Sequence, residues 1–328
     1  MKKFVAILLT LMLVLGIGAA VADEAPATPT TDLTDHETVK IKKVYKLEGA
    51  GTSPVETFTL KQVGDGTVTN GEATSAPALG TITGAAFAAG AATANGATGE
   101  ITVALPEYTS VGVYEYTLQE VAGTTAGVTY YGKTIKLVVT VVNGKNNDLL
   151  RIAGVHTESS GDKTDTFENT YRAGTLNVTK KVDGNLGDQS KKFDFTVKFT
   201  KRDGEDVNST ITATVAGVGA TDFNIAWDDK GTYTYTFQLA HGQTASFANL
   251  PYGVTYTVTE TAVTGYETTK TGDSGTINAA EHTAAFTNTK NGSIDTGVTT
   301  ENLPYVLLIG FVVLAGAALL IKRKAHNN

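Results

Sequence analysis

The feature that most constrains this sequence is a repeated order of short segments in which apolar and polar residues alternate. In the first half these segments are VKIKKVYKL (39–47), VYEYTLQEVAG (113–123) and DTFENTY (165–171). In the second half they are LNVTKKV (176–182), VTYTVTETAVTGY (254–266) and AAFTNTK (284–290). A period of two residues is typical of a half-buried β-strand, and its recurrence in the same order indicates a duplicated domain. We therefore predict a boundary between two β domains near residues 173–174.

The residues between these segments favour sheets over helices. Thr, Val, Gly and Tyr are abundant, and Asn-Gly pairs, which suit tight hairpin turns, occur at 70–71 and 95–96 among other places. This pattern predicts an all-β protein with two tandem antiparallel sandwiches, at 38–173 and 174–290. The segment 68–100 is so rich in Ala, Gly and Thr that it is predicted to form loops and short edge strands.

Six polar residues fall on the apolar faces of these predicted strands. Alternate residues of a strand share a face, so the neighbours two positions away show which way each residue points. The inward polar residues are Lys43, Glu120 and Asn169 in the first half and Lys180, Glu260 and Asn288 in the second. A buried Lys or Glu is costly unless it is paired, which predicts that each half assembles its own Lys-Glu-Asn trio.

Two interpretations of such a trio are open. In the first, the side chains form a hydrogen-bonded cluster with a structural role only. In the second, burial disfavours charge, so a neutral amine lies beside a protonated acid. The amine then attacks the Asn carbonyl carbon while the acid polarises the carbonyl and transfers protons, which releases ammonia and leaves a Lys-Asn isopeptide bond. We favour the second interpretation, because strand packing holds the groups in contact and such orientation contributes on the order of 7 to 11 kcal/mol.

The two ends of the sequence indicate export and surface attachment. Residues 1–22 contain two Lys, an apolar run and an Ala-Val-Ala site, which is the pattern of a cleaved secretory signal peptide. Residues 23–37 are predicted to be a flexible leader. An apolar run at 303–321 precedes a basic tail and is long enough to span a membrane. The alternatives are an N-terminal membrane anchor and a plain one-span membrane protein.

The pentapeptide SIDTG, at 293–297, precedes the second apolar run. A pentapeptide that ends in Thr-Gly, followed by a span and a basic tail, resembles the sorting signal of Gram-positive sortases, which cut between Thr and Gly and transfer the new acyl group to an amine. The resemblance implies that residues 291–328 are a sorting signal cut between Thr296 and Gly297. Ile294-Asp295 departs from the common Leu-Pro-x-Thr-Gly form.

The strand segments resemble those of streptococcal backbone pilins of the T-antigen type, which contain pilin isopeptide-linkage domains. The stretch LNVTKKVDGNLGDQSKKFDF, the strands YTLQE and YTVTE and the two Phe-x-Asn endings carry this resemblance. It implies two immunoglobulin-like (CnaB-type) sandwiches stacked end to end, with the closing strand of each beside its opening strand. The implied autocatalytic bonds are Lys43–Asn169, with catalytic Glu120, and Lys180–Asn288, with catalytic Glu260. Lys163 lies about where the family keeps the lysine that links subunits, although no motif distinguishes it from an ordinary surface lysine.

The predicted function is that of a structural backbone subunit of a sortase-assembled pilus on the cell surface. The predicted partners are a sortase, identical subunits, accessory pilins and peptidoglycan. The formal net charge of −7 argues against nucleic acid as a partner, and no cofactor or metal site is predicted. The chain is predicted not to be an enzyme beyond one bond-forming turnover in each domain. The main alternative is a wall-anchored adhesin or stalk protein with the same domains that never polymerises.

The stretch GDSGT, at 272–276, resembles the nucleophile segment of chymotrypsin-like serine proteases. The five His are scattered along the chain and there is no Cys, so the rest of that class is not recognisable. A Gly-rich turn between strands is the favoured interpretation. A secreted serine protease with Ser274 as its nucleophile is the third alternative.

Overall fold

The computed structural model describes residues 37–144, 150–223, 225–293 and 303–326. Within these ranges almost every regular element is a β-strand, which confirms the all-β prediction. The helix described is α1 (Leu303–His326). The predicted signal peptide, and the predicted leader up to residue 36, lie outside the described residues.

Short and long strands alternate along the N-terminal half. They are β1 (Thr38–Gly49), β2 (Glu56–Phe58), β3 (Leu60–Gln62), β4 (Thr67–Thr69), β5 (Ile82–Thr83), β6 (Ala85–Phe87), β7 (Ala97–Ala104), β8 (Gly112–Glu120), β9 (Val128–Thr129), β10 (Ile135–Asn143), β11 (Leu150–Ser159) and β12 (Asp162–Lys163). The next strand, β13 (Thr166–Asp183), passes through the predicted domain boundary. The strands that follow are β14 (Phe193–Thr200), β15 (Ile211–Val215), β16 (Gly219–Phe223), β17 (Thr232–Leu239), β18 (Thr244–Pro251), β19 (Thr255–Glu260), β20 (Glu267–Thr271), β21 (Ser274–Thr276) and β22 (Glu281–Thr289).

One long sheet extends through both halves. Its main order is β16-β15-β18-β13-β1-β7-β5, and β9, β20 and β22 pair with its members. In the N-terminal half its buried side chains share a core with the sheet β12-β11-β10-β8-β3, to which β4 is added. In the C-terminal half they share a core with the sheet β17-β14-β19-β21. A small ribbon pairs β2 with β6.

The strand β13 belongs to both halves because its two ends pair with different strands. Its N-terminal part runs parallel to β1, with Lys43 opposite Phe167. Its C-terminal part runs parallel to β22, with Lys180 opposite Phe286. Paired strands lie about 4.7–4.9 Å apart. In each half, a side chain of the first strand can therefore reach one of the last strand.

Each half has its own hydrophobic core, and both cores are rich in fully buried aromatic residues. In the N-terminal core these include Tyr45, Phe58, Tyr114, Tyr116 and Tyr171. In the C-terminal core they include Phe193, Phe195, Phe199, Phe247 and Phe286. Burying such a side chain contributes about 1.5–3 kcal/mol. The inner faces of the sheets are therefore dry, apolar surroundings for any polar group placed there.

The segment 68–100 contributes more to the sheet than its composition predicts. Besides short strands it contains the start of β7, which pairs with β1 from Thr38 to Tyr45. Its small residues make room for larger neighbours, because a Cβ at Gly99 would lie 2.9 Å from the Phe87 ring. Small residues at inward positions remove the alternation that would otherwise reveal a strand.

The helix α1 covers the apolar run at 303–321. No helix in the part of the chain that the structure describes is both long and apolar enough to cross a membrane. The transmembrane span stays a prediction.

Candidate functional site

Lys43, Glu120 and Asn169 meet in the N-terminal core. They come from β1, β8 and β13, and each has a solvent-exposed fraction of 5% or less. The Lys43 Nζ donates to Asn169 Oδ1 at 2.7 Å and also to Glu120 Oε2. The Asn169 Nδ2 donates to Glu120 Oε1 at 2.6 Å. The three side chains therefore form a closed ring of hydrogen bonds.

The backbone N–H of Tyr131 joins this first trio. Tyr131 lies in the loop between β9 and β10, and its N–H donates to Asn169 Oδ1 at 2.9 Å and to Glu120 Oε1 at 3.1 Å. The Tyr131 hydroxyl is hydrogen-bonded to Ser159 Oγ at 2.6 Å, and its ring packs edge-on against Phe167. These contacts of the side chain hold the loop, and with it the N–H, against the trio.

Lys180, Glu260 and Asn288 form the corresponding trio in the C-terminal core. The Lys180 Nζ donates to Glu260 Oε2 at 2.7 Å, and the Asn288 Nδ2 donates to Glu260 Oε1. The side chains of Lys180 and Glu260 are 0% and 2% exposed. Asn288 Oδ1 differs from its counterpart in the first trio, since it is buried without a hydrogen-bond partner among the described residues.

Both trios are built on the same strand register. In each half the Lys lies opposite a Phe of the closing strand, and the Asn follows that Phe by two residues. Alternate residues of a strand share a face, so the Lys and the Asn point into the same core. The Glu is the last residue of a strand in the other sheet, β8 or β19, and reaches the pair from across the core.

Aromatic rings surround both lysine amines. The Lys43 Nζ lies 5.2 Å from the centre of the Phe58 ring and 5.8 Å from that of Tyr131. The Lys180 Nζ lies 4.1 Å from the centre of the Phe193 ring and 5.7 Å from that of Phe195. These rings replace water around the amines, which raises the cost of a full charge there, and the attraction of a ring face for a cation offsets part of that cost.

Burial lowers the pKa of Lys43 from its ordinary value, and the neighbouring Glu120 opposes this shift. Burial also lowers the pKa of Lys180, and Glu260 opposes the shift there. In both sites the net direction favours the neutral amine. A neutral amine has a free lone pair and acts as a nucleophile, which an ammonium group does not.

From the sequence we expected each glutamic acid to contact the Asn carbonyl oxygen and polarise it. The structure shows different contacts. In both trios the Glu Oε2 instead accepts from the lysine Nζ and the Glu Oε1 accepts from the Asn Nδ2. Carboxyl oxygens accept hydrogen bonds from N–H groups, and in each trio the lysine amine lies at one oxygen of the acid and the Asn amide nitrogen at the other. The arrangement therefore suits the acid to move protons between two nitrogens.

Lys163 lies apart from both trios. It is exposed in β12 at the edge of its sheet, opposite Glu158 of β11. The hairpin before it turns through Ser160 and Gly161, which have φ of 54° and 88°. Its amine is therefore open to an external partner. The other predicted sortase residues, Thr296 and Gly297, lie outside the described residues.

The remaining sequence motif, GDSGT, forms a turn followed by a short strand. Gly272 has a φ of 65°, and β21 begins at Ser274. Asp273 pairs with Lys270 at 2.7 Å, so an ion pair joins the start of the turn to the strand before it. Within the described residues, no group of three or more His, Cys, Asp or Glu could hold a metal ion.

Two family models match this chain, one for each half. Residues 39–172 match the model of the Spy0128-like isopeptide containing domain. Residues 174–290 match a domain of unknown function, DUF7601. The first match includes all three residues of the N-terminal trio, Lys43, Glu120 and Asn169.

Two curated relatives come from Streptococcus pyogenes. The chain is 31% identical over 177 residues to a pilin of serotype M1, an alignment that covers 48% of this chain and 51% of the pilin. It is 29% identical over 133 residues to the pilus tip adhesin Cpa, which covers 38% of this chain and 18% of the adhesin. The chain thus spans about half the length of the first relative and a smaller part of the second.

The crystal structure of the major pilin from Streptococcus pyogenes superposes with a TM-score of 0.52 and 22% sequence identity. The superposition covers 79% of this chain and 100% of that chain. At this identity the match shows a shared fold. With the family model and the curated pilin, it confirms the predicted resemblance to streptococcal backbone pilins with isopeptide domains.

Two kinds of group in the site escaped the sequence analysis. The sequence could have predicted that the Phe193 and Phe195 rings point inward, because Asp194 separates them in the stretch FDF, just after the second opening strand. The Tyr131 N–H had none, since every residue except proline carries a backbone N–H and only the fold decides where it points.

Proposed function

We propose that this chain is a structural backbone subunit of a sortase-assembled cell-surface pilus, with one intramolecular Lys-Asn isopeptide bond in each of two immunoglobulin-like sandwiches, 38–173 and 174–290. The observation that carries the proposal is the burial of two Lys-Glu-Asn trios with one strand register in separate cores. Stability alone does not require them, because replacing a buried ion pair by apolar residues is often neutral or stabilising. The resemblance to streptococcal pilins supports the same role.

The reaction begins when one proton moves from the lysine to the glutamate, which neutralises both groups. The Nζ lone pair attacks the Asn Cγ, so a C–N bond forms while the carbonyl π electrons move to Oδ1. The acid then gives its proton to Nδ2 and takes one from the attacking nitrogen. The electrons on Oδ1 return, the Cγ–Nδ2 bond breaks and ammonia leaves. The acid is still protonated at this point and gives that proton to the departing ammonia, so the products are one amide bond, one ammonium ion and the original carboxylate.

Each bond would close a long loop between the first and last strands of its domain. Lys43 and Asn169 are 126 positions apart. On the chain-entropy model used for disulfides, a loop of this length stabilises the folded state by about 5 kcal/mol. The bond would also tie together two parallel neighbours, β1 and β13, that a pulling force would otherwise separate.

Assembly would use a second kind of amide bond, made by a sortase. After removal of residues 1–22, the apolar run at 303–321 and the basic tail would hold the subunit at the membrane until the sortase cuts between Thr296 and Gly297. The acyl group of Thr296 would then pass to an amine of the next subunit, for which Lys163 is the proposed acceptor because it is exposed at a sheet edge. Accessory pilins and peptidoglycan are the further proposed partners.

Intact-mass spectrometry tests the intramolecular bonds. Each Lys-Asn bond removes one ammonia, about 17 Da, so the wild-type chain should be about 34 Da lighter than the sum of its residues. Glu120→Ala and Glu260→Ala should each lose one of these two deficits, and the double variant both. Glu115→Ala is the matched control, because Glu115 lies on the same strand but contacts the exposed Lys136. A wild-type mass without any deficit would refute the bonds.

The alternative of a non-polymerising stalk protein is separated by gel analysis of cell-wall material released with a muramidase. Subunits joined by sortase should form a ladder of high-mass species that survives denaturation. A single band at the mass of one subunit would favour the stalk protein over the pilus shaft. The result is independent of the intramolecular bonds, which both alternatives contain.

A further inference from the structure

The two trios differ in what contacts the carbonyl oxygen of the asparagine. In the N-terminal trio, Asn169 Oδ1 accepts from the Lys43 Nζ at 2.7 Å and from the Tyr131 N–H at 2.9 Å. In the C-terminal trio, Asn288 Oδ1 is buried and has no hydrogen-bond partner among the described residues. The difference concerns the one atom that gains negative charge when an amine adds to the carbonyl.

The Tyr131 N–H is the donor that remains once the reaction starts. The Lys43 Nζ becomes the attacking atom and forms its bond to Cγ, so it can no longer serve as an external donor to the oxygen. The Glu120 oxygens face the two nitrogens, and Oε1 also accepts from the Tyr131 N–H at 3.1 Å, a longer contact than the 2.9 Å to Asn169 Oδ1. A fixed backbone N–H aimed at the developing oxyanion in a dry site stabilises the transition state more than the ground state.

The strand pairing explains why this N–H is free to point inward. β9 pairs with β13 at Thr129–Thr170 and Val128–Tyr171. The pairing ends at Thr170, so it does not include the adjacent Asn169. The chain then leaves the ladder, and Tyr130 and Tyr131 are half-buried. In the C-terminal half, β20 continues along β22 through Thr268–Asn288, so a regular ladder occupies the equivalent position.

From these contacts we infer that the backbone N–H of Tyr131 is a catalytic group, a one-donor oxyanion site that accelerates the Lys43–Asn169 bond and has no equivalent among the described residues of the C-terminal domain. The inference rests on the proposed function, because it assigns a role within the same bond-forming reaction. When Nζ adds to Cγ, the carbonyl electron pair moves to Oδ1, where the N–H stabilises it until Nδ2 departs as ammonia.

The test replaces the Tyr131 amide by an ester, which removes the N–H and keeps the side chain. The α-hydroxy analogue of tyrosine is incorporated at position 131 during cell-free synthesis of the full chain. Samples are quenched in denaturant at intervals, digested, and the two cross-linked peptides are quantified by mass spectrometry. Loss of one oxyanion donor should slow the Lys43–Asn169 bond by about 100-fold or more. The Lys180–Asn288 bond, measured in the same molecules, should keep its rate.

The same ester at Tyr266 is the matched control, because it keeps the tyrosine side chain and removes an N–H that donates to Val263 O and to neither trio. Its first bond should form within a few-fold of the wild-type rate. An unchanged first bond in the Tyr131 ester, equal slowing of both bonds, or equal slowing of the first bond by the Tyr266 ester would each overturn the inference. Absence of either cross-linked peptide from the wild-type chain would instead refute the proposed function, so the two failures are distinguishable.

Discussion

Replacing Lys43 by methionine isolates the energetic effect of the first bond. Methionine fills the space of the lysine stem, so Lys43→Met adds no large cavity. The buried Glu120 loses its ammonium partner in the variant, and it also loses that partner in the wild type once Lys43 has become part of a neutral amide. Glu120 and Asn169 keep their hydrogen bond to each other. What is lost is the amine, and with it the closure of a loop of 126 positions.

The expected loss of stability is about 5 kcal/mol, the loop-closure term for a loop of that length. For a domain of this size, 1 kcal/mol shifts the melting temperature by roughly 3 °C, which predicts a fall of about 15 °C. Differential scanning calorimetry of the full chain should show this fall in one transition only. Lys180→Met identifies the other transition by shifting it instead.

Lys42→Met is the matched control for the change of Lys43. Lys42 is the neighbouring residue of β1 but points to solvent, and exposed substitutions usually change stability by less than about 0.5 kcal/mol. Intact masses of both variants show which bonds have formed. Equal melting temperatures for Lys43→Met and Lys42→Met, with the first bond absent only from the former, would refute the loop-closure argument.

Three further outcomes are expected. Lys163→Arg should abolish the high-mass ladder in cell-wall extracts while Lys133→Arg, another exposed change, leaves it; a persistent ladder would assign the linkage to another lysine. Burial lowers the pKa of Lys43. The proton that Lys43 loses can move to its neighbour Glu120, so the reactive neutral pair carries as many protons as the ion pair. The rate of the first bond in cell-free time courses should therefore be flat between about pH 6 and 8, and a tenfold rise per pH unit would show that the pair does not share a proton. In the wild-type time course the Lys43–Asn169 peptide should appear before the Lys180–Asn288 peptide, and the reverse order would contradict an accelerating role for the Tyr131 N–H.

The period of two residues was enough to predict which polar side chains point inward. It separates Lys43 from Lys42 and Lys180 from Lys181, and the structure buries the first of each pair and exposes the second. The signal is strong here because an inward lysine is costly, so its appearance at equivalent positions of two repeats is hard to assign to chance. Side-chain direction follows from the backbone alone, which makes it the most predictable property of a strand.

Other parts of the site depend on packing between distant segments, which alternation does not encode. The strand β7 was hidden because Gly99 stays small to fit against Phe87, a contact between residues of different strands. The position of the Tyr131 N–H depends on where β9 stops pairing with β13. The roles of the two Glu oxygens depend on which donors face them after folding. Each of these is a tertiary property with no local sequence pattern.

The position of β13 links the two proposed bonds into one path for force. Asn169 and Lys180 lie on this same strand, so β13 supplies the acceptor of the first bond and the amine of the second. With both bonds formed, tension that enters along β1 reaches Lys43, crosses to Asn169, follows β13 to Lys180 and leaves through Asn288 on β22. The segments between Lys43 and Asn169, and between Lys180 and Asn288, lie outside this path and carry no load.

The part of β13 that carries the load is already an extended strand, so pulling can lengthen it only slightly. A pair of cross-links on separate strands would leave the junction between the domains to unfold, whereas a shared strand makes the junction part of the covalent path.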